Sequence, residues 1–279
     1  MRFDRMLNDR HTPATYRPAL DREEHLGFPY SAMSEDRVPV MAADADTLDL
    51  PLRAIKNRGK AALAARPEWV EQLKTIVDDL PLDLLFSVLG AYDLARVTLP
   101  DGVGIWGPVW YLFADAECWQ PYDDNRPVHL SPKDLTNVDY DLFWHCSANS
   151  LAGFGIFDGD RLIALATVWD AGDPMWEIGM DVVPDAKLTG LGRTVVSAAT
   201  RWILNNGKFA LATTAPFNVP SARTLQSVGL RHVFTAMNGT EGIMQIGPQP
   251  LGLPYPSAEL HNLYPQWAMN KDILQKGIR

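Results

Sequence analysis

Hydrophobic and polar positions change period several times along this 279-residue chain, and each change marks an element. The clearest run lies between 128 and 238. A short strand is expected over 128–130, followed by a helix over 132–138 with Ser131 as its cap and Pro132 in its first turn. Strands over 153–157 and 162–169 are joined by a hairpin signal at Asp158-Gly159. Trp176, Ile178, Met180 and Val182 then alternate with Glu177, Gly179, Asp181 and Val183, which is a strand that Pro184 ends. From Lys187 the period becomes helical: Leu188, Leu191, Val195, Ala198 and Trp202 share one face of a helix over 187–205, closed by Gly207. A strand over 209–214, a helix over 220–228 ending at Gly229 and a strand over 231–237 complete the run. Hairpins followed by β-α-β-α-β predict an α+β fold, a mixed sheet flanked by helices.

The first half reads differently. Helices are expected over 52–65, 67–80 and 82–97, with Trp69, Leu73, Ile76 and Leu80 forming one apolar stripe and Leu85, Leu89 and Tyr92 another. Asp101-Gly102 marks a turn, and 109–114 is a buried strand in a zone rich in Trp106, Trp110, Tyr111 and Trp119. These aromatics are core or the wall of a substrate pocket. The stretch 121–127 reads as a linker, which divides the chain into a helix-rich or mixed N-terminal region (1–125), a second domain (126–238) and a Gly/Pro-rich extension (239–279) with aromatics at Tyr255, Tyr264 and Trp267. Prolines at 13, 18, 29 and 39 give residues 1–50 an irregular character.

Composition narrows the function. The net charge is −9, and the first 125 residues hold 13 Lys/Arg against 21 Asp/Glu, the remainder 12 against 13. An acidic half argues against nucleic acid and suits a protonated amine as partner, though surface acid also serves solubility. No apolar run approaches the ~20 residues of a membrane span. Cys118 and Cys146 form neither metal spacing nor a disulfide framework, and Asp44-x-Asp46 lacks the further ligands of a calcium loop. A cytoplasmic protein with no metal, no membrane partner and a monomeric or homodimeric state is the expectation.

The candidate chemistry gathers where strand 176–183 meets helix 187–205. Gly190 and Gly192 sit where a helix offers unpaired N–H groups, so they are either a plain turn or an anion cradle for a phosphate. The pattern meets neither the Rossmann fingerprint, since Val195 holds the third glycine place, nor the P-loop. Glu177, on a strand expected to be buried, is a candidate general base whose carboxyl burial would push up, or else one half of a salt bridge.

Lys187-x-x-Gly190-x-Gly192, followed by Asn218-x-x-Ser221 and Val228-Gly229-Leu230, resembles the paired signatures of the GNAT superfamily of acyl-CoA-dependent N-acyltransferases, over roughly 127–238. The resemblance implies acetyl-CoA as co-substrate. Its diphosphate would lie on Leu188, Thr189, Gly190, Leu191, Gly192 and Arg193, and its pantetheine along Met180, Asp181 and Val182, with Asn218 near the sulfur and Ser221 a further cofactor-binding residue. Arg193 is otherwise a surface cation and Asn218 a helix cap. The implied reaction moves an acetyl group to a primary amine, by direct attack with Glu177 as base; the acceptor is a small molecule in this reading. Many members carry a tyrosine acid where this chain has Leu225, and His145 or His232 could replace it. The alternatives are a non-catalytic acyl-CoA-binding or regulatory module, or an acyltransferase with another acyl group or acceptor. The N-terminal region would choose the acceptor, and a degenerate second copy of the fold is one reading of it.

Overall fold

The computed structural model describes residues 28–43, 48–186 and 190–242. Leu188, Thr189 and Lys187, the Asp44/Asp46 pair and most of the 239–279 extension lie outside them. Among the described residues ten strands form one sheet: β1 (Val40–Ala42), β2 (Leu52–Asn57), β3 (Lys60–Ala65), β4 (Val103–Ala114), β5 (Val128–Leu130), β6 (Ala152–Asp158), β7 (Arg161–Asp170), β8 (Met175–Val182), β9 (Phe209–Thr214) and β10 (Arg231–Glu241). Their spatial order is β1-β3-β2-β10-β4-β9-β8-β7-β6-β5. Only β1/β3 and β8/β9 pair in parallel. The helices are α1 (Val70–Asp79), α2 (Leu82–Leu85), α3 (Val88–Thr98), α4 (Pro132–Leu135), α5 (Leu191–Asn205) and α6 (Val219–Ser227). The molecule is α+β, a mixed sheet flanked by helices.

The expected helix over 52–65 is instead the hairpin β2/β3, turned at Arg58, which takes a φ of 54°, and Gly59. Both faces of this hairpin are buried, so the period-two alternation that identifies a half-buried strand is missing, and its alanines imitate a helix. The third expected helix breaks at Phe86-Ser87. Ser87 caps α3 by accepting from Leu89 N (3.2 Å) and Gly90 N (3.5 Å). The break resets the helical phase, so Leu89 and Tyr92 are exposed and Ala91, Leu94 and Ala95 face the core instead. Strand β4 begins six residues before the expected 109, because Gly107-Pro108 interrupts the apolar pattern where the ladder to β10 shifts register.

The division drawn between 125 and 126 falls between neighbours of one continuous sheet. Strand β4 lies between β10 and β9, and β10 pairs on its other side with β2. The 121–127 stretch runs along α5: Tyr122 N–H donates to Ser197 Oγ (2.9 Å), and Arg201 pairs with Asp123 (3.2 Å). Near it, Gly229 ends α6 with a φ of 92°, against the Cys118 carbonyl, where any Cβ would overlap. Gly229→Ala is therefore expected to cost on the order of 3 kcal/mol, from positive-φ strain and the displaced backbone together. A urea midpoint equal to that of the parent would contradict this packing.

Candidate functional site

Alternation along β8 sends its side chains to two faces. Ile178 and Met180 belong to the core beneath α5, together with Val195, Ala199 and Ile203. Glu177, Gly179 and Asp181 point to the opposite face. There the His145 carbonyl sits so close over Gly179 that a Cβ would collide with it.

Strands β8 and β9 are paired only at Met175↔Phe209, Trp176↔Ala210 and Glu177↔Leu211, although β8 continues to Val182 and β9 to Thr214. Beyond Glu177 the two strands part. The odd-numbered residues of β8 exchange their backbone bonds with β7, as Val183 N–H to Ile163 O (3.0 Å) and Ala171 N–H to Met175 O (3.1 Å) indicate at either end. The amide and carbonyl of Met180 consequently face the gap.

At the far end of this gap stands the first turn of α5. Gly190 precedes it with a φ of 81°, and a Cβ there would meet nothing among the described residues within 4 Å. The first bond of this turn runs from Thr194 N to Gly190 O (3.2 Å), so the amides of Leu191, Gly192 and Arg193 have no acceptor within the helix. Gly192 lets α5 approach β8 and α6: a Cβ would lie 2.9 Å from Met180 Cε and 3.5 Å from Thr224 Cγ2. The Arg193 guanidinium stacks on the Tyr122 ring at 4.3 Å, with its Nε buried and unpartnered among the described residues. Thr194 Oγ1 donates to Asp124 (3.2 Å), whose carboxyl is held down at about 2, chiefly by its bonds from Arg126. Asn218 Oδ1 accepts from Ser221 N–H at 3.4 Å and so caps α6. Leu225 is buried in the core under α5 and faces no gap.

Glu177 is half-buried beside the last paired residues. Burial pushes its carboxyl up, against the bonds that it accepts from the Thr213 hydroxyl (2.9 Å) and the Trp169 side chain. Thr213 is the register partner of Tyr111, and the amide of Asn238 reaches the Tyr111 hydroxyl at 3.4 Å. Asn238 is the register partner of Arg53. A polar strip thus leads from Glu177 across β9, β4 and β10 on the face away from α5. Tyr111, also pushed up by burial, feels Arg53 and Glu177 from the two ends of that strip. Trp110 instead packs against the α5 core. Of the two histidines, His232 is pushed down to about 4 by burial, and His145 is held by Asp181 at 2.6 Å.

Sequence reasoning named Tyr111 only within an aromatic zone, as core or pocket wall, and missed Thr213, Trp169 and Asn238. The only signal was polar residues set among apolar strand positions. Among the described residues no group of three His, Cys, Asp or Glu side chains could hold a metal ion, and no helix is long and apolar enough to cross a membrane.

The family model of the acetyltransferase (GNAT) family matches residues 116–230. Solved structures that resemble the chain include a GNAT-family acetyltransferase from Novosphingobium aromaticivorans (17% identity, TM-score 0.42, covering 50% of this chain and 66% of that one). A GCN5-related N-acetyltransferase from Kribbella flavida follows (18%, 0.38, 52% and 62%). An aminoglycoside N-acetyltransferase in complex with CoA is also similar (15%, 0.30, 47% and 93%). The chain thus spans just under two thirds of the length of the first two. No curated protein sequence matches the chain. The matched segment, 116 to 230, holds the α5 glycines, Glu177 and Asn218, and is similar to the acetyltransferase (GNAT) family.

Proposed function

We propose that this protein is an N-acetyltransferase that moves an acetyl group from acetyl-CoA to the primary amine of a small molecule. The observation that carries the reading is the parting of β8 from β9 after Glu177↔Leu211, beside the first turn of α5, where Gly192 packs on Met180. Acetyl-CoA fits this gap. Its diphosphate suits the amides of Leu191, Gly192 and Arg193, which have no acceptor within the helix, with the space over Gly190 clear of the described residues. The pantetheine suits the gap-facing backbone of Met180 and Val182, while Asp181 between them spends its backbone bonds on β7, and the Met180 amide can polarise the thioester carbonyl. Arg193 contributes its amide and a nearby positive charge; its guanidinium is engaged with Tyr122. Asn218 and Ser221 act by fixing the start of α6 beside this path.

The acceptor enters on the other face, over Glu177 and the strip of Thr213, Tyr111 and Asn238. Glu177 takes a proton from the ammonium, the free amine attacks the thioester carbon, and the adduct nitrogen gives its second proton to solvent as the collapsing adduct expels the CoA thiolate. The net acidity of the first 125 residues favours a cationic acceptor. Release of CoA in the presence of a panel of small amines tests the reading; binding of acetyl-CoA with no turnover on any amine would favour a non-catalytic module. Leu225 in the core leaves room for that second reading, since the position that supplies the acid in many family members is apolar here.

The Thr213 hydroxyl bond holds the Glu177 carboxyl lower than burial alone would. Thr213→Val is expected to raise the apparent pKa of turnover while KM for acetyl-CoA stays unchanged. An unmoved pH–rate profile would separate Thr213 from the base.

A further inference from the structure

The acyl-transfer reading leaves the departing thiolate without a proton donor, and one pair of residues lies at β8 to either side of Met180. His145 is gripped at two points by Asp181: its Nδ1 bonds Oδ1 at 2.6 Å, and its backbone N–H donates to Oδ2 at 2.7 Å. With Nδ1–H committed to a carboxylate, Nε2 is the ring nitrogen that exchanges protons. That nitrogen has no bond among the described residues, and the side chain of His145 is 39% exposed while that of Asp181 is only 13% exposed. The Trp144 ring covers one face of the imidazole, with centroids 3.4 Å apart. The carbonyl of His145 lies over Gly179, and its carboxylate partner is Asp181. The pair therefore brackets Met180, the residue whose backbone faces the gap between β8 and β9.

Other candidates fail on position or charge. Leu225 is apolar and buried. His232, pushed down to about 4, is neutral at physiological pH and bonds Thr235 at 3.0 Å. Burial pushes the Cys146 thiol up to about 12, and its sulfur faces the carbonyls of Leu165 and Gly179 beneath the loop. Tyr111 stands two strands away from β8, roughly 10 Å at the usual strand spacing. Glu177 is the proton acceptor for the amine in this reading, so the thiolate takes its proton from a second group.

We propose that His145, held through Nδ1 by Asp181, protonates the departing CoA thiolate. This rests on the acyl-transfer reading above. The carbon–sulfur bond of the tetrahedral adduct breaks with its electron pair on sulfur. The Nε2–H bond of the doubly protonated ring breaks as S–H forms, and the ring is left neutral with Nδ1–H still on Asp181. His145 is then a catalytic residue and Asp181 a positioning residue.

The test uses the full chain with an amine that supports CoA release. His145→Ala is expected to lower kcat by about 10²-fold with KM for acetyl-CoA within twofold, and added imidazole restores part of the rate. Asp181→Asn lowers kcat about tenfold, on the low side of that range, without changing KM. A double variant, His145→Ala with Asp181→Asn, responds less to imidazole than His145→Ala alone. Structural damage would not be repaired by imidazole. An active parent whose His145→Ala variant keeps its kcat, or loses it without imidazole rescue, overturns the role of His145 and leaves acyl transfer standing. A parent that binds acetyl-CoA but releases no CoA with any amine overturns both.

Discussion

Glu177→Gln lowers kcat by about 10²- to 10⁴-fold, the usual effect of a positioned proton acceptor, and leaves the affinity for acetyl-CoA intact. Glutamine keeps the shape, and its Oε1 can still accept from Thr213, so the loss isolates the proton. The pH dependence has a definite sign. Only the carboxylate removes a proton, and burial holds the group above its ordinary value of 4.5, so the rate of the parent climbs as pH rises through that raised value. The variant lacks this limb. Stability runs the other way. Because the folded state retains its proton longer than the unfolded chain does, the stabilisation is fully present below 4.5 and is lost as pH rises through the raised value. Glu177→Gln flattens that decline. A variant with parental kcat and an unaltered pH profile would remove Glu177 from the reaction.

Gly190→Asp is expected to have a comparably large effect on the donor. A carboxylate in the open space over Gly190 would place negative charge against the diphosphate and displace bonds to charged groups worth ~1.5–3 kcal/mol each. Two such bonds correspond to about 10²- to 10⁴-fold in Kd. Aspartate is among the residues that tolerate a positive φ, so the fold should survive. Gly190→Ala, which adds the φ strain without the charge, separates the two effects: it should cost stability but spare most of the donor affinity. Equal weakening by alanine and aspartate would assign Gly190 to the turn alone.

What the sequence made legible was local. The change of period from strand to helix around Pro184 and Gly190, the glycine stops at Gly207 and Gly229, and the capping of α6 by Asn218 all depend on residues a few positions apart. The hairpin at 52–65 was hidden because its alanines are buried on both faces, so no face announced itself. The central place of β4 was hidden because only its long-range partners, β9 and β10, put it there. The same holds at the site. Glu177 stood out as a charge on an apolar strand, but Thr213 comes from β9, 36 residues away. His145 reaches Asp181 from a loop at the same separation, with no periodicity to mark it.

The account depends on the amides that open α5 holding the diphosphate of coenzyme A. Calorimetric titration of CoA into the parent and into Gly190→Asp measures this most directly. A saturable one-site heat with the parent that disappears in the variant is the predicted result. A parent indifferent to CoA, or a variant that binds it equally well, would contradict it.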